Sequence, residues 1–130
     1  MALLRRYLRF RAEVLRRRPD DLKDFLSKLV MVLGDRASVI VFGGRGSEET
    51  LYSSKPRDLD VLIVVKGIST EEVDELIRKL RPRGLPVDAL IVSYEEFNPC
   101  DPLIRDMLTK YLIIHDGLGI SLEVRECVGH

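Results

Sequence analysis

The sequence contains no tryptophan, and phenylalanine and tyrosine are few, so aromatic residues make up only 6% of its 130 residues. A hydrophobic core must therefore be built mainly from leucine, valine and isoleucine. No apolar run approaches the roughly 20 residues that a membrane-spanning helix needs. The basic N-terminus also lacks the apolar stretch of a secretory signal. We therefore expect a cytoplasmic protein without membrane contact.

Cysteine is also scarce, because Cys100 and Cys127 are the only two. Two cysteines are too few for a disulfide framework, and their spacing fits no zinc-binding pattern. Two ordinary thiols are the expectation. A bridge between them is the alternative, because intracellular proteins of hyperthermophiles do contain disulfides.

Charge of one sign does not dominate the chain, since 21 basic residues balance 21 acidic ones. The distribution is uneven: residues 1–18 hold seven arginines and one acid, Glu13, which leaves 21 − 7 = 14 basic and 21 − 1 = 20 acidic residues elsewhere. The arginine-rich face is either a solvated surface or a docking surface for an acidic protein or RNA. If the core leaves its aliphatic neighbours uncovered, contacts between copies of the chain are favoured instead.

Hydrophobic periodicity predicts one domain, residues 1–130, with a basic helix over 1–18 and a core of about 20–117. Pro19 is expected to end the basic helix, and Asp20 to begin a second one. A further helix is predicted to begin at a cap residue, Ser69 or Thr70, and to end at Pro82 and Gly84, and a short one is predicted over 102–110. Strands are predicted over 38–42, 58–65 and 87–92, and a short strand or extended segment over 111–114. Apolar strands interleaved with amphipathic helices predict an α/β (α+β) fold with a mixed sheet flanked by helices.

Three aspartates stand out at the strands. Asp58 and Asp60 open the second strand two residues apart, so both side chains project from the same face. Asp88 interrupts the otherwise apolar third strand, where a carboxylate needs a partner. Carboxylate oxygens suit Mg²⁺ or Mn²⁺, so the three predict a metal site. The alternatives are solvated acids at a strand entrance, an Asp88 paired with Arg83 or Arg57, or an Asp88 facing water at a sheet edge.

A glycine-rich loop follows the first strand directly and consists of Gly43, Gly44, Arg45, Gly46 and Ser47. Backbone N–H groups of such a loop bind an anion without side-chain obstruction, and arginine adds charge. The alternative is a tight turn that only needs glycine's conformational freedom.

The run VIVFGGRGSEETLYSSKPRDLDVLIVV, which combines these features, resembles the signature of the DNA polymerase beta-like nucleotidyltransferase superfamily. In its minimal prokaryotic members an apolar strand leads to Gly-Ser and then to Asp-x-Asp at the next strand. A later strand carries the third carboxylate, matched here by Asp88. The closing segments SYEEF and DPLIRDMLTKYLIIHDG are similar as well, so the resemblance covers roughly residues 20–117.

The resemblance implies a nucleotidyltransferase fold and transfer of a nucleoside monophosphate from an NTP, with ATP the first candidate, to a hydroxyl. Asp58 and Asp60 would hold Mg²⁺ or Mn²⁺, and Asp88 would share a second metal or act as general base. Gly43, Gly44, Arg45, Gly46 and Ser47 would bind the nucleotide. The family's Gly-Ser is Gly43-Gly44 here, so the serine hydroxyl is missing. One alternative is that Ser47, which lies 58 − 47 = 11 residues before Asp58, replaces this hydroxyl. The other is that the loop carries an insertion.

The resemblance also implies a partner, because small family members often occur beside a HEPN-type protein, as AMPylation target or as toxin–antitoxin counterpart. RNA is a weaker candidate for the partner, and a homo-oligomer is also considered. The competing interpretation of function is a catalytically weak or silent module of the same fold that acts as a partner or antitoxin. A third is an unrelated D-x-D metal protein, against which the chain length and the preceding glycine loop argue.

Overall fold

A computed structural model describes residues 2–55 and 57–129 of the chain. The helices and strands in chain order are α1 (Ala2–Leu33), β1 (Ala37–Phe42), β2 (Leu59–Val65), α2 (Thr70–Leu80), β3 (Val87–Ser93), α3 (Pro102–Met107), β4 (Tyr111–Asp116) and α4 (Ser121–Val128). Among the helices of these residues, none has the length and apolar character to cross a membrane.

The first helix is continuous through Pro19, so the prediction of two helices that meet at this residue is wrong. A proline inside a helix removes one backbone hydrogen bond, which favours a break there. Packing on both sides of the proline opposes the break: Val14 and Arg18 are buried before it, and Leu22 is buried after it. The Arg18 guanidinium also donates to the carbonyl of Gly84, 2.6 Å away, in the loop before β3.

The four strands form one mixed sheet in the order β3-β2-β1-β4. The central strand β1 is antiparallel to both β2 and β4. By contrast, β2 and β3 are parallel, with α2 as the connection between them. The predicted α+β class with a mixed sheet flanked by helices is confirmed.

Helices cover both faces of the sheet, because the inner strands are apolar on both. One cluster joins α1 and α2 to the sheet, for example through Phe25, Leu29 and Val73. The other lies on the opposite face, where Ile120 and Val124 pack on Leu62 and Val64 of β2. The prediction that β2 is buried on both faces is confirmed, because its apolar residues are all buried.

The C-terminal helix α4 was not predicted, and the buried core reaches beyond the expected limits of about 20–117. Asp116, which precedes the helix, caps its N-terminus: its carboxylate accepts hydrogen bonds from the amides of Ile120 (2.8 Å) and Ser121 (3.0 Å). A disulfide between Cys100 and Cys127 ties α4 to the segment before α3. The expectation of two free thiols is therefore wrong, and the alternative of a bridge is correct.

Candidate active site

Two of the predicted carboxylates are direct neighbours in the sheet. The parallel register pairs Asp60 of β2 with Asp88 of β3, while Asp58 precedes Asp60 by two residues. Alternate residues of a strand share a face, so Asp60 lies on the face of Leu62 and Val64. This is the face that α3 and α4 cover. The three aspartates therefore lie at the end of the sheet where β2 and β3 begin.

The negative charges of Asp88 and Asp58 act on Asp60. The pKa of Asp60 is raised, first because burial disfavours its charged form and then because of the negative charges of Asp88 and Asp58. Asp60 is half-buried, whereas Asp58 and Asp88 are exposed. A bound cation would therefore relieve the cost of charging Asp60, which is the half-buried carboxylate of the three.

Asp88 does not carry the burial cost that its apolar strand suggested. Strand β3 is at the edge of the sheet, and Asp88 is exposed to solvent, as one of the sequence alternatives stated. The other alternative was a pairing with arginine. Within residues 2–55 and 57–129, neither Arg57 nor Arg83 forms an ion pair with Asp88. Its carboxylate is accessible to a ligand.

The donors fit a divalent cation in their chemistry but are not assembled into a cage. Among the described residues, no three His, Cys, Asp or Glu side chains are grouped so that they could hold a metal ion. Hard carboxylate oxygens on neighbouring strands nevertheless suit Mg²⁺ or Mn²⁺, which relieves repulsion among like charges. Asp58, Asp60 and Asp88 are the residues that could hold one.

Gly43 lies against the Asp60 carboxylate. Its φ is +69°, and a Cβ atom at this position would be only 2.6 Å from Oδ2 of Asp60. Its amide donates to the carbonyl of Lys110 at 3.2 Å. The amide of Gly43 is thus engaged within the chain in the present arrangement, and its binding of a phosphate stays a prediction. Gly43 leaves room for the carboxylate.

The rest of the glycine loop is a tight turn. The amide of Gly46 donates to the carbonyl of Gly43 at 3.0 Å, so it too is engaged within the chain. The Ser47 hydroxyl shares a 2.7 Å hydrogen bond with that of Thr50. Gly44 is exposed at the outside of this turn, beside the side chain of Arg57. Of the three glycines, Gly44 is the one that presents its backbone to solvent.

Arg45 has a different position from the predicted one. Its side chain is fully buried, with a relative exposure of 0%. The guanidinium donates to backbone carbonyls of the following loop, namely those of Thr50, Leu51, Ser53, Lys55 and Arg57. Burial, and then the charges of Arg18 and Arg57, lower its pKa. In the present arrangement Arg45 organises the loop that leads to the aspartates, and nucleotide binding by this side chain stays a prediction.

The cation closest to the exposed turn is Arg57, which sequence reasoning considered only as a partner for Asp88. Its Nη1 donates to the carbonyl of Gly44 at 3.0 Å, so the side chain lies over the turn. Arg57 directly precedes Asp58 in the chain. A basic residue next to the Asp-x-Asp motif is the signal that could have drawn attention to Arg57 as a candidate site residue.

Comparison with known proteins gives one distant similarity. No protein family model matches the chain, and no curated protein matches it. Among solved structures, the chain is similar to the crystal structure of a "putative nucleotidyltransferase" from Sulfolobus solfataricus, with 17% identity and a TM-score of 0.46. The similarity covers 79% of this chain and 84% of that one. At this distance it carries no argument about activity, so the proposals below depend on this chain's own residues.

Proposed function

We propose that the chain is a metal-dependent nucleotidyltransferase that moves a nucleoside monophosphate from an NTP, ATP being the first candidate, to a hydroxyl. The observation that carries the proposal is the lateral pairing of Asp60 with Asp88 on parallel strands. Asp58 stands two residues before Asp60, and the charges of Asp58 and Asp88 both act on Asp60. Such a concentration of carboxylates is unfavourable without a cation, so a function that supplies one accounts for it.

Asp58, Asp60 and Asp88 would hold Mg²⁺ or Mn²⁺. When bound, the cation neutralises triphosphate charge and lowers the pKa of an attacking hydroxyl. In the transfer, the acceptor oxygen forms a bond to the α-phosphorus, and the bond from that phosphorus to the pyrophosphate oxygen breaks. The acceptor's proton would go to water where Asp88 holds the cation. Where Asp88 acts as general base instead, the proton would go to this carboxylate, which is exposed at the sheet edge and accessible to a second substrate.

The loop residues would position the triphosphate. Arg57, which lies over the Gly44 turn, would pair with phosphate oxygens through its planar guanidinium. The exposed backbone of Gly44 lets a phosphate approach closely, since glycine has no side chain of its own. Arg45 acts from within, because its hydrogen bonds fix the path of the loop between Gly46 and Asp58. The acceptor hydroxyl would be supplied by a partner protein.

The test is transfer of label from each of the four α-³²P-labelled NTPs, with Mg²⁺ or Mn²⁺. The acceptors are the chain itself, total RNA and a protein extract. We expect one nucleotide to label one acceptor class with the wild type and no labelling with Asp60→Asn. The matched control is Asp74→Asn, which removes an acid of α2 that is 47% exposed and pairs with Arg78 on the helix surface. Labelling that persists in Asp60→Asn would refute the proposal.

A second candidate, a silent module of the same fold that binds a partner, is favoured by a specific observation. The amides of Gly43 and Gly46 donate within the chain, so two expected phosphate ligands are occupied. In that case, calorimetry would detect no metal-dependent NTP binding to wild type or Asp60→Asn. Metal-dependent binding that Asp60→Asn abolishes would exclude the silent module.

A further inference from the structure

The N-terminal part of α1 extends beyond the packed domain. Residues 2–13, which we call the arm, are all exposed, and Val14 is the first buried residue of the helix. At 1.5 Å per residue the arm is about 18 Å long. Its large apolar side chains include Leu3, Tyr7 and Phe10, which are 81%, 57% and 49% exposed. An apolar line of this length on a free helix indicates a surface that something covers.

A groove continues this line along the packed part of α1. It has a volume of about 410 Å³ and is open to solvent. Its lining comes from α1 and from the end of α2, and consists of Phe10, Val14, Arg17, Asp21, Asp24, Leu80, Pro82 and Arg83. The groove is thus apolar in part, and its charged lining consists of two arginines and two aspartates. The arm, by contrast, carries four arginines and one acid.

The charges on one side of α1 are arranged symmetrically. Arg6, Glu13, Arg17 and Asp24 are separated by 7, 4 and 7 residues. At 3.6 residues per turn these spacings place the four side chains on nearly the same side of the helix, and Arg6 and Asp24 are five full turns apart. Arg17 and Asp24 also line the groove, so the side of α1 that carries these four charges is the side that faces the groove. The signs alternate, and the pattern is centred on residue 15.

We propose that the arm docks into the groove of a second copy of this chain, with the two α1 helices antiparallel about a two-fold axis near residue 15. In this arrangement Arg6 of each copy faces Asp24 of the other, because residues 6 and 24 lie equally far from the axis at residue 15. Glu13 faces Arg17 for the same reason. These four residues, which we call the charged stripe, therefore each face a residue of opposite charge in the other copy, as an interface between identical surfaces requires.

The apolar residues support the same arrangement. Leu3, Tyr7 and Phe10 of one copy reach the groove of the other, where Leu80 and Pro82 form the wall opposite α1. Covering these side chains in both copies removes on the order of 1,000 Å² of surface from water, near the lower limit for a stable dimer. Within one chain, the partners of the stripe are weak: Asp24 pairs with Lys28 and Glu13 with Arg16, both at exposed positions.

A polyanion fits the same side less well. RNA or an anionic membrane would place negative charge against Glu13 and Asp24, which alternate with the arginines. An identical helix in the opposite direction meets no like charge along the stripe. The second copy is therefore the occupant that the charges favour.

The first test is the molar mass of the full chain by sedimentation equilibrium over a micromolar concentration series. We expect a reversible dimer of twice 14.9 kDa. Tyr7→Ser/Phe10→Ser should shift it to the monomer. Met31→Ser is the matched control, because Met31 is an exposed apolar residue of α1 outside the arm, and it should leave the dimer intact. A wild-type monomer throughout the series would overturn the proposal, as would equal effects of the two variants.

The second test reads the orientation of the helices. Arg6→Glu and Asp24→Lys each create two like-charge pairs in a homodimer, so each variant should dimerise about tenfold more weakly. An equimolar mixture of the two should regain wild-type affinity, because in the mixed dimer each position 6 again faces a position 24 of opposite charge. Circular dichroism verifies that each variant is folded. Mixing that restores nothing would refute the antiparallel pairing, whatever the single variants do.

Discussion

Gly43 and Asp60 are packed so closely that a Cβ atom on the glycine would be 2.6 Å from Oδ2 of the aspartate. Gly43 directly follows β1, and Asp60 lies near the start of β2; the register of the two strands places Phe42 opposite Asp60. Gly43 is therefore the residue that follows the strand partner of the aspartate. A glycine at this position lets a half-buried carboxylate remain at the end of the sheet without a steric conflict.

The first prediction concerns this contact. Gly43→Ala adds both backbone strain at φ +69° and a clash with Asp60, which displaces the carboxylate. A misplacement of this kind in an active site reduces turnover by about 100-fold. Gly67→Ala is the control, because its φ is +77° and a Cβ there meets nothing within 4 Å. If both variants retained equal activity in the label-transfer assay, Gly43 would have no role in placing Asp60.

The second prediction concerns the buried arginine. Arg45→Met removes the donors for the carbonyls that surround the guanidinium and leaves them unsatisfied. We expect a loss of about 3 kcal/mol in the free energy of unfolding, and rapid proteolysis between residues 47 and 55. Arg36→Met, which removes an exposed guanidinium bound to Val32, should change stability by less than about 0.5 kcal/mol. Similar urea midpoints for the two variants would contradict this role.

The third prediction concerns the stability cost of the site. Because the folded protein raises the pKa of Asp60, its charged form destabilises the fold once the pH exceeds its unfolded-state pKa. Asp60→Asn should therefore raise the melting temperature at neutral pH by about 1–4 °C while it abolishes transfer. The gain should disappear at acidic pH, where Asp60 is protonated in both states. A lower melting temperature at neutral pH would indicate that Asp60 is a structural residue.

The fourth prediction concerns acid stability. Burial alone would raise the pKa of Asp116, but hydrogen bonds from Ser121, Ile120 and Ser38 outweigh it and hold the pKa at about 2. A lowered pKa stabilises the fold above the ordinary value of 3.8, and this contribution is lost as the pH falls toward 2. Asp116→Asn should reduce the free energy of unfolding at pH 7 by about 2 kcal/mol. The variant should also lose less stability than the wild type between pH 4 and 2, measured by urea unfolding. Parallel pH profiles would exclude this role for Asp116.

Much of the fold was predictable because the apolar strands and amphipathic helices have clear periods. The failures occur where distant contacts decide the local structure. Pro19 lies inside a helix because Val14 and Arg18 are held by the loop at Gly84. The cap of α4 is Asp116, which lies five residues before Ser121 and is therefore outside the usual cap position. No local sequence pattern predicts either contact.

In the candidate site, too, local sequence predicted some features, whereas contacts between distant residues decided the others. The types and spacing of Asp58, Asp60 and Asp88 indicated a carboxylate cluster, but only the sheet order reveals that Asp88 lies on an edge strand. The burial of Arg45 depends on a loop that folds around it, so its hydrogen bonds to several carbonyls were not predictable from the sequence GGRG. The pairing of Cys100 with Cys127 also depends on the position of α4.

The central claim is that Asp58, Asp60 and Asp88 act together as one divalent-cation site. Its most direct test is a titration with Mn²⁺, in which electron paramagnetic resonance measures the free ion with and without NTP. We predict saturable binding that NTP strengthens, that Asp60→Asn and Asp88→Asn each abolish, and that Asp74→Asn leaves unchanged. Unaltered binding in Asp60→Asn or in Asp88→Asn, or no binding to the wild type even with NTP, would contradict the claim.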